Sequence, residues 1–171
     1  MFDLESYDNV LEKLSKMPEG NTMPLHSWDF FAVNFDQKAT ALSDANKLQE
    51  FAKVNHWVSN WNFSEELQNQ KTIVVTDARL NIVFATENIF QMTGYQNDEV
   101  IGKSPKMFQG ANTCKKDLED MKIAINLEQP FEKTLLNYKK NGETYACKIQ
   151  AFPVFNSKKK LVNFVAFEIA A

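Results

Sequence analysis

Cys114 and Cys147, His26 and His56, and the adjacent acidic pairs Glu65-Glu66 and Asp98-Glu99 are the residues of this sequence whose types could carry chemistry. Two cysteines make no disulfide framework, and a buried cysteine serves more often as a small hydrophobe than as a redox centre. Neither histidine has a cysteine or second histidine at metal-ligand spacing. Neighbouring carboxylates in helical surroundings diverge around the axis and do not converge on one substrate. The chain carries no nucleophile elbow, P-loop, HExxH or dinucleotide fingerprint. On these residues the reading is non-enzymatic.

The charge balance narrows the partners. Across 171 residues, 19 Lys and Arg face 22 Asp and Glu, a net charge of −3. That gives no footprint for nucleic acid or an anionic membrane face. Hydrophobic content of 44% with 24% charged residues is globular, and no apolar run reaches the roughly 20 residues of a membrane helix. The opening MFDLESYDNVLEKL is acidic and lacks a basic segment before an apolar run, so no signal peptide is expected and the cytoplasm is the expected compartment.

The elements that must position any site change character near residue 70. Before it the pattern is helical: Met1–Met17, then a helix capped by Ser43 or Asp44 with Ala45, Leu48, Phe51, Ala52 and Asn55 on one face, then a short helix capped by Ser64. Trp28, Trp57 and Trp61 read as packing anchors. After it, TIVVTD and LNIVFAT are strands joined by a turn at Asp77–Arg79. Short helices follow over Glu87–Thr93 and Asp98–Gly102. A longer one over Thr113–Leu127 faces Leu118, Met121, Ile125 and Cys114 inward. Phe131–Lys139, Glu143–Phe155 and Lys160–Ile169 are long strands. The order implies an α+β fold, a five-stranded antiparallel sheet with helices on one face.

The turn Lys140-Asn141-Gly142 fixes the register. A three-residue loop with Gly142 left-handed pairs Lys139 with Glu143, and hence Asn137 with Tyr145 and Leu135 with Cys147. Leu135, Asn137, Tyr145, Cys147, Ile149 and Ala151 then share the inner face. The last strand is apolar on both faces: Leu161, Val165, Phe167 and Ile169 on one, Val162, Phe164, Ala166 and Glu168 on the other. An antiparallel sheet usually leaves one face wet, so the outer face needs a cover, either the N-terminal helices or a second subunit. With Leu136, Tyr138 and Phe152 also counted outward, a homodimer is expected.

The run VVTDARLNIVFATENIFQMTGYQNDEVIGKSPKMFQG, followed by a helix and PFEKTLLNYKKNGETYACKIQAFPVF, resembles a PAS domain, and within that superfamily its light-oxygen-voltage (LOV) branch. The likeness spans about Thr72 to Ile169. It divides the chain into a helical N-terminal extension, 1–70, and a PAS domain, 71–171. LOV domains hold flavin mononucleotide (FMN), and blue light joins its ring to the cysteine of a G-x-N-C-R-F-L-Q-G motif. Pro105 stands at that cysteine's position here, so the resemblance implies no cysteinyl adduct.

Carried over residue by residue, the resemblance puts Gln109 and Asn137 on the ring. Lys106 and Lys122 stand where arginines meet the phosphate, which keeps the charge but loses the bidentate fork. Ser104 and Cys147 replace two asparagines. Glu168 replaces a glutamine and must be protonated to donate; burial pushes it that way. The expected function is a non-catalytic sensory module, binding a small ligand such as a flavin. The alternative is a ligand-free module for dimerisation or protein contacts. No output domain is expected after the last strand, so a signalling partner or a change of oligomeric state is expected to carry the output.

Overall fold

The computed structural model describes residues 26–58 and 61–170, with side chains from Gln37 on. The expected helix over Met1–Met17 and the packing of Trp28 lie outside the described residues. Gln37–Ala171 forms one compact unit.

Helix α1 (His26–Val54) is one continuous helix, followed by α2 (Phe63–Gln68). Strands β1 (Thr72–Asp77) and β2 (Ile82–Ala85), helices α3 (Ile89–Thr93) and α4 (Asn97–Val100), a 3-10 turn (Pro105–Phe108) and helix α5 (Lys115–Asn126) come next. Strands β3 (Phe131–Tyr138), β4 (Thr144–Phe155) and β5 (Leu161–Ala170) complete the chain order. The sheet is antiparallel in the order β2-β1-β5-β4-β3, which puts the last strand at its centre.

The sheet follows the alternation. The β3–β4 register pairs Asn137 with Tyr145 and Leu135 with Cys147, as Gly142 at φ 89° requires. A second left-handed glycine, Gly94 at φ 75°, ends α3 and returns its N–H to the Phe90 carbonyl. Val162 departs from the alternation and packs with the outer-face cluster, beside a bulge between Val154 and Phe155.

Three local expectations are corrected. Ser43 and Asp44 cap nothing, because α1 starts well before them. Asp44 is instead a buried side chain inside the helix, and its carboxylate accepts the Glu87 backbone N–H at 2.7 Å. Ser64 does not cap α2; Asn62 does, its side chain accepting from the Glu65 N–H at 3.3 Å. Cys114 is exposed. As the N-cap of α5 it has extended backbone, φ −62° and ψ 115°, so it leaves the inward stripe that helical spacing would give it.

The outer face is covered by the chain itself. Ala45 and Leu48 of α1 and Phe63 and Leu67 of α2 pack on Ile73, Val75, Val154, Val165 and Phe167. Trp61 sits among Phe63, Phe152 and Phe167, with ring centroids 6.1–6.2 Å apart. Such pairs add roughly 0.5–1.5 kcal/mol each beyond the area they bury. The Trp57 indole N–H donates to Asn163 at 2.9 Å, and Asn163 donates to the Thr76 carbonyl at 3.0 Å. Val165 is 0% exposed and Phe167 3%, so hiding them needs no second subunit. At the sheet edge, Tyr138 lies against Gly110 and its hydroxyl accepts the Asn112 N–H at 3.0 Å. No helix among the described residues is long and apolar enough to cross a membrane.

Candidate functional site

The inner face of the sheet and the helical layer between them enclose a cavity of about 690 Å³, within the range of small-molecule sites. The sheet supplies Val74, Thr76, Phe131, Ile149, Ala151, Phe164, Ala166 and Glu168. The helical side supplies Leu118, Met121 and Ile125 of α5, with Ser104, Pro105, Lys106 and Gln109 at the 3-10 turn. Helix α5 has no buried residue and is tied to β3 by Lys133, whose ammonium meets Asp117 at 3.2 Å and Asp120 at 2.8 Å.

Each wall has a local cause. Pro105 opens the 3-10 turn, where a missing N–H costs nothing, and the Ser104 hydroxyl accepts the Lys106 N–H at 3.4 Å. The spacing Leu118, Met121, Ile125 puts one apolar stripe of α5 over the opening. Between α5 and the turn, Thr113 donates its hydroxyl to the Leu136 carbonyl at 2.7 Å, which pins the loop to the edge strand.

Of the residues the sequence singled out, Ser104, Lys106, Gln109, Lys122 and Glu168 line the cavity. Asn137 and Cys147 do not reach its wall. They lie on the same inner face and both are buried, Cys147 packed with Met92, Leu135 and Tyr145 and Asn137 opposite Tyr145 across the strands. Cys147 still touches the wall chemically, because its thiol donates to Glu168 Oε2 at 3.6 Å. Lys106, Lys115, Glu119 and Lys122 give the helical side three cations and one anion. The sequence reading passed over Lys115, Glu119 and Thr76. The regular spacing of Lys115, Glu119 and Lys122 along one helix was the signal for the first two.

Burial sets the electrostatics. It pushes the Glu168 carboxyl up to about 7, while the Cys147 thiol pulls weakly the other way. Burial also pushes up the Cys147 thiol, and the neighbouring Glu168 carboxylate adds to it. The Tyr145 phenol rises for the same reason, with Cys147 and Glu168 beside it, while the neighbouring Asn137 side chain pulls it the other way. A thiol so raised is a poor nucleophile.

Buried polar atoms normally have partners. Among the described residues, Glu66 Oε2, Thr76 Oγ1, Asn137 Oδ1 and Tyr145 OH accept or donate no hydrogen bond. Glu66 is satisfied by the Lys71 ammonium at 2.6 Å. The other three all belong to the inner side of the sheet. Of these, Thr76 lines the chamber together with the buried Glu168 carboxyl, while Asn137 and Tyr145 lie beyond its wall on the same face; lysines stand around the rim. That set fits a flat heteroaromatic ring with an anionic tail, the shape and charge of FMN.

Comparison with known proteins agrees with this geometry. A family model described as PAS domain matches residues 70–169. Protein TWIN LOV 1 of Arabidopsis thaliana is 38% identical over 109 residues, 61% of this chain and 27% of that protein. The blue-light-activated histidine kinase of Brucella anthropi is 36% identical over 100 residues, 57% of this chain and 20% of that one. The match thus covers only about a fifth to a quarter of these relatives' length. The dark structure of the blue-light photoreceptor Aureochrome1 LOV superposes with a TM-score of 0.60 at 27% identity, over 66% of this chain and 85% of that one. The LOV domain of the Erythrobacter litoralis EL346 blue-light-activated histidine kinase shares the fold, with a TM-score of 0.55 at 23% identity, over 58% and 94%. The chain belongs to the PAS-domain family, in its LOV-like branch.

Proposed function

We propose that this chain is a non-catalytic sensory module, a PAS domain over 71–171 with a helical extension over 1–70, whose cavity holds FMN. It passes its signal on through protein contacts. The observation that supports this most is the 690 Å³ chamber on the inner side of the sheet, lined by the unpartnered Thr76 hydroxyl and the buried Glu168 carboxyl with lysines on its rim. A folded chain leaves such atoms bare where a ligand completes them.

Bound flavin would supply blue-light absorption and reversible electron uptake. Lys106 and Lys122 would hold the phosphate as point charges, a looser grip than an arginine fork. Gln109 would address the polar edge of the ring, and the apolar stripe of α5 would exclude water from its face. Pro105 offers no nucleophile, so light forms no carbon–sulfur bond at that position. Output would run to a partner protein or a second copy, for which Leu42, Val54 and Val58 are exposed apolar points on and just beyond α1. Two free cysteines suit a cytoplasmic module.

The test is a titration of the purified chain with FMN, read by quenching of flavin fluorescence. Binding in the micromolar range or tighter is expected, weakened at least tenfold in a Lys106→Gln, Lys122→Gln double variant. No binding at millimolar protein would refute the flavin reading. Blue light on the loaded protein should leave no thiol-adduct spectrum. Slow reversible bleaching with that spectrum would contradict the role given to Pro105 and turn attention to Cys147.

A further inference from the structure

The inner wall carries one group that a wall of amides does not, a carboxyl. Glu168 stands on β5 between Thr72 of β1 and Ile149 of β4, lines the cavity, and is only 7% exposed. Its one side-chain partner is the Cys147 thiol at 3.6 Å, and among the described residues no ion pair reaches it. We infer that Glu168 meets its ligand as a neutral carboxylic acid, donating its proton to an acceptor atom of the ligand, so that filling the cavity is coupled to uptake of a proton. The ligand's identity rests on the flavin reading above; the state of Glu168 does not.

Burial favours the neutral form, with the Cys147 thiol's hydrogen bond pulling the other way. On β4, Cys147 and Tyr145 are both held protonated, their own ionisation opposed by burial and by a charge on Glu168. On β1, the facing residues Thr72, Val74 and Thr76 have no charge to give, and Asn137 on β3 has none either. Across the cavity, Lys106, Lys115 and Lys122 are exposed and water-screened, and Glu119 among them is itself an anion. Ionised, Glu168 would be an acceptor only and would repel a ligand carbonyl oxygen. Neutral, it donates. Its carboxyl, pushed up to about 7, stands ready to make this change near neutrality. The ligand thereby selected presents an acceptor oxygen or nitrogen at the sheet-facing edge of a flat ring.

The probe is FMN, titrated into the full chain between pH 6 and pH 9. Because only the protonated fraction is competent, the wild-type Kd should rise about tenfold per pH unit above 7. Calorimetry at pH 8 in two buffers of different ionisation enthalpy should read close to one proton taken up. Glu168→Gln donates at any pH and should bind with a flat profile and no proton uptake. Parallel pH profiles for wild type and Glu168→Gln would overturn the inference. Infrared difference spectra of wild type minus Glu168→Gln, without ligand, give a second readout: a protonated-carboxyl stretch present at pH 6 and lost by pH 9. If FMN binds neither protein, the flavin reading falls, and this band alone decides. Its absence overturns the neutral donor as well; its presence keeps the donor for a ligand other than flavin.

Discussion

Replacing Glu168 by glutamine should make the empty protein more stable in alkali and leave it almost unchanged in acid. An ordinary glutamate titrates at 4.5, whereas the folded chain holds this one up to about 7. Below pH 4.5 both folded and unfolded chains carry the proton, and the group costs nothing. Between 4.5 and 7 the unfolded chain releases the proton and the folded chain keeps it. Stability therefore falls as pH rises, by about 1.4 kcal/mol per pH unit. Above 7 both forms are ionised and the loss is complete, about 3 kcal/mol in total. Glutamine matches the shape, accepts the Cys147 S–H, and does not titrate. Asp77, Glu99, Asp117, Glu132 and Glu143 are all shifted down, so their contribution has the opposite sign and is lost in acid. They are common to both proteins, so the difference curve isolates Glu168. The assay is thermal or urea unfolding from pH 4.5 to pH 9. Near pH 4.5 the two curves should coincide. At pH 8 and above Glu168→Gln should lead by about 3 kcal/mol, or roughly 6–12 °C in Tm for a chain of this size. A difference that stays constant with pH, or a mutant less stable at pH 8, would refute the burial argument.

Asp44→Ala leaves the Glu87 N–H without its carboxylate acceptor and should cost about 1.5–3 kcal/mol in urea unfolding, with Asp44→Asn recovering part of it; a loss below about 0.5 kcal/mol would show that the contact does not hold α1 to the chain after β2. Phe167→Asp buries a charge under Trp61 and Phe152 and should cost more than about 4 kcal/mol or prevent folding. The gentler Phe167→Ala should lose about 3–5 kcal/mol with no change of mass in light scattering; a change of mass at constant stability would contradict the intramolecular cover. Gly110→Ala would drive its Cβ into the Tyr138 ring and should cost about 1–3 kcal/mol, largely relieved in the Gly110→Ala, Tyr138→Ala double variant.

Features fixed by local geometry were legible in the sequence. One glycine in a three-residue loop set the β3–β4 register, and period-two alternation then sorted Leu135, Asn137, Tyr145 and Cys147 to the inner face. Helix boundaries were less legible, because short polar residues look alike as caps. Ser43 and Asp44 are good cap types, yet α1 runs through them; the Glu87 N–H that Asp44 accepts lies 43 residues away in sequence. Asn62 outcompetes Ser64 by geometry alone, its carboxamide reaching the third N–H of the first turn. Cys114 has the spacing of an inward residue but the backbone of a cap. The candidate site was legible as positions on one face, but the cavity was not. A volume depends on how far α5 stands off the sheet, and the contacts that tie α5 to β3, such as Lys133 with Asp117 and Asp120, are ones no periodicity encodes.

The two faces of this sheet solve the same problem in opposite ways. Beta5 is apolar on both sides, so each side must be hidden from water. On the outer side the chain spends α1, α2 and an aromatic cluster, and the polar groups there are satisfied: Trp57 by Asn163, Asn163 by Thr76, Glu66 by Lys71. On the inner side the chain stops short. It leaves a chamber open, and the three polar atoms without partners, at Thr76, Asn137 and Tyr145, lie on that side beside a carboxyl raised by burial. Buried polar atoms cost about 1–3 kcal/mol each when left bare. A stability-driven core would have replaced them with the valines and isoleucines that fill the outer face. Of the three, Thr76 lines the chamber itself, and its bare hydroxyl supports a ligand independently of any residue matched to a relative.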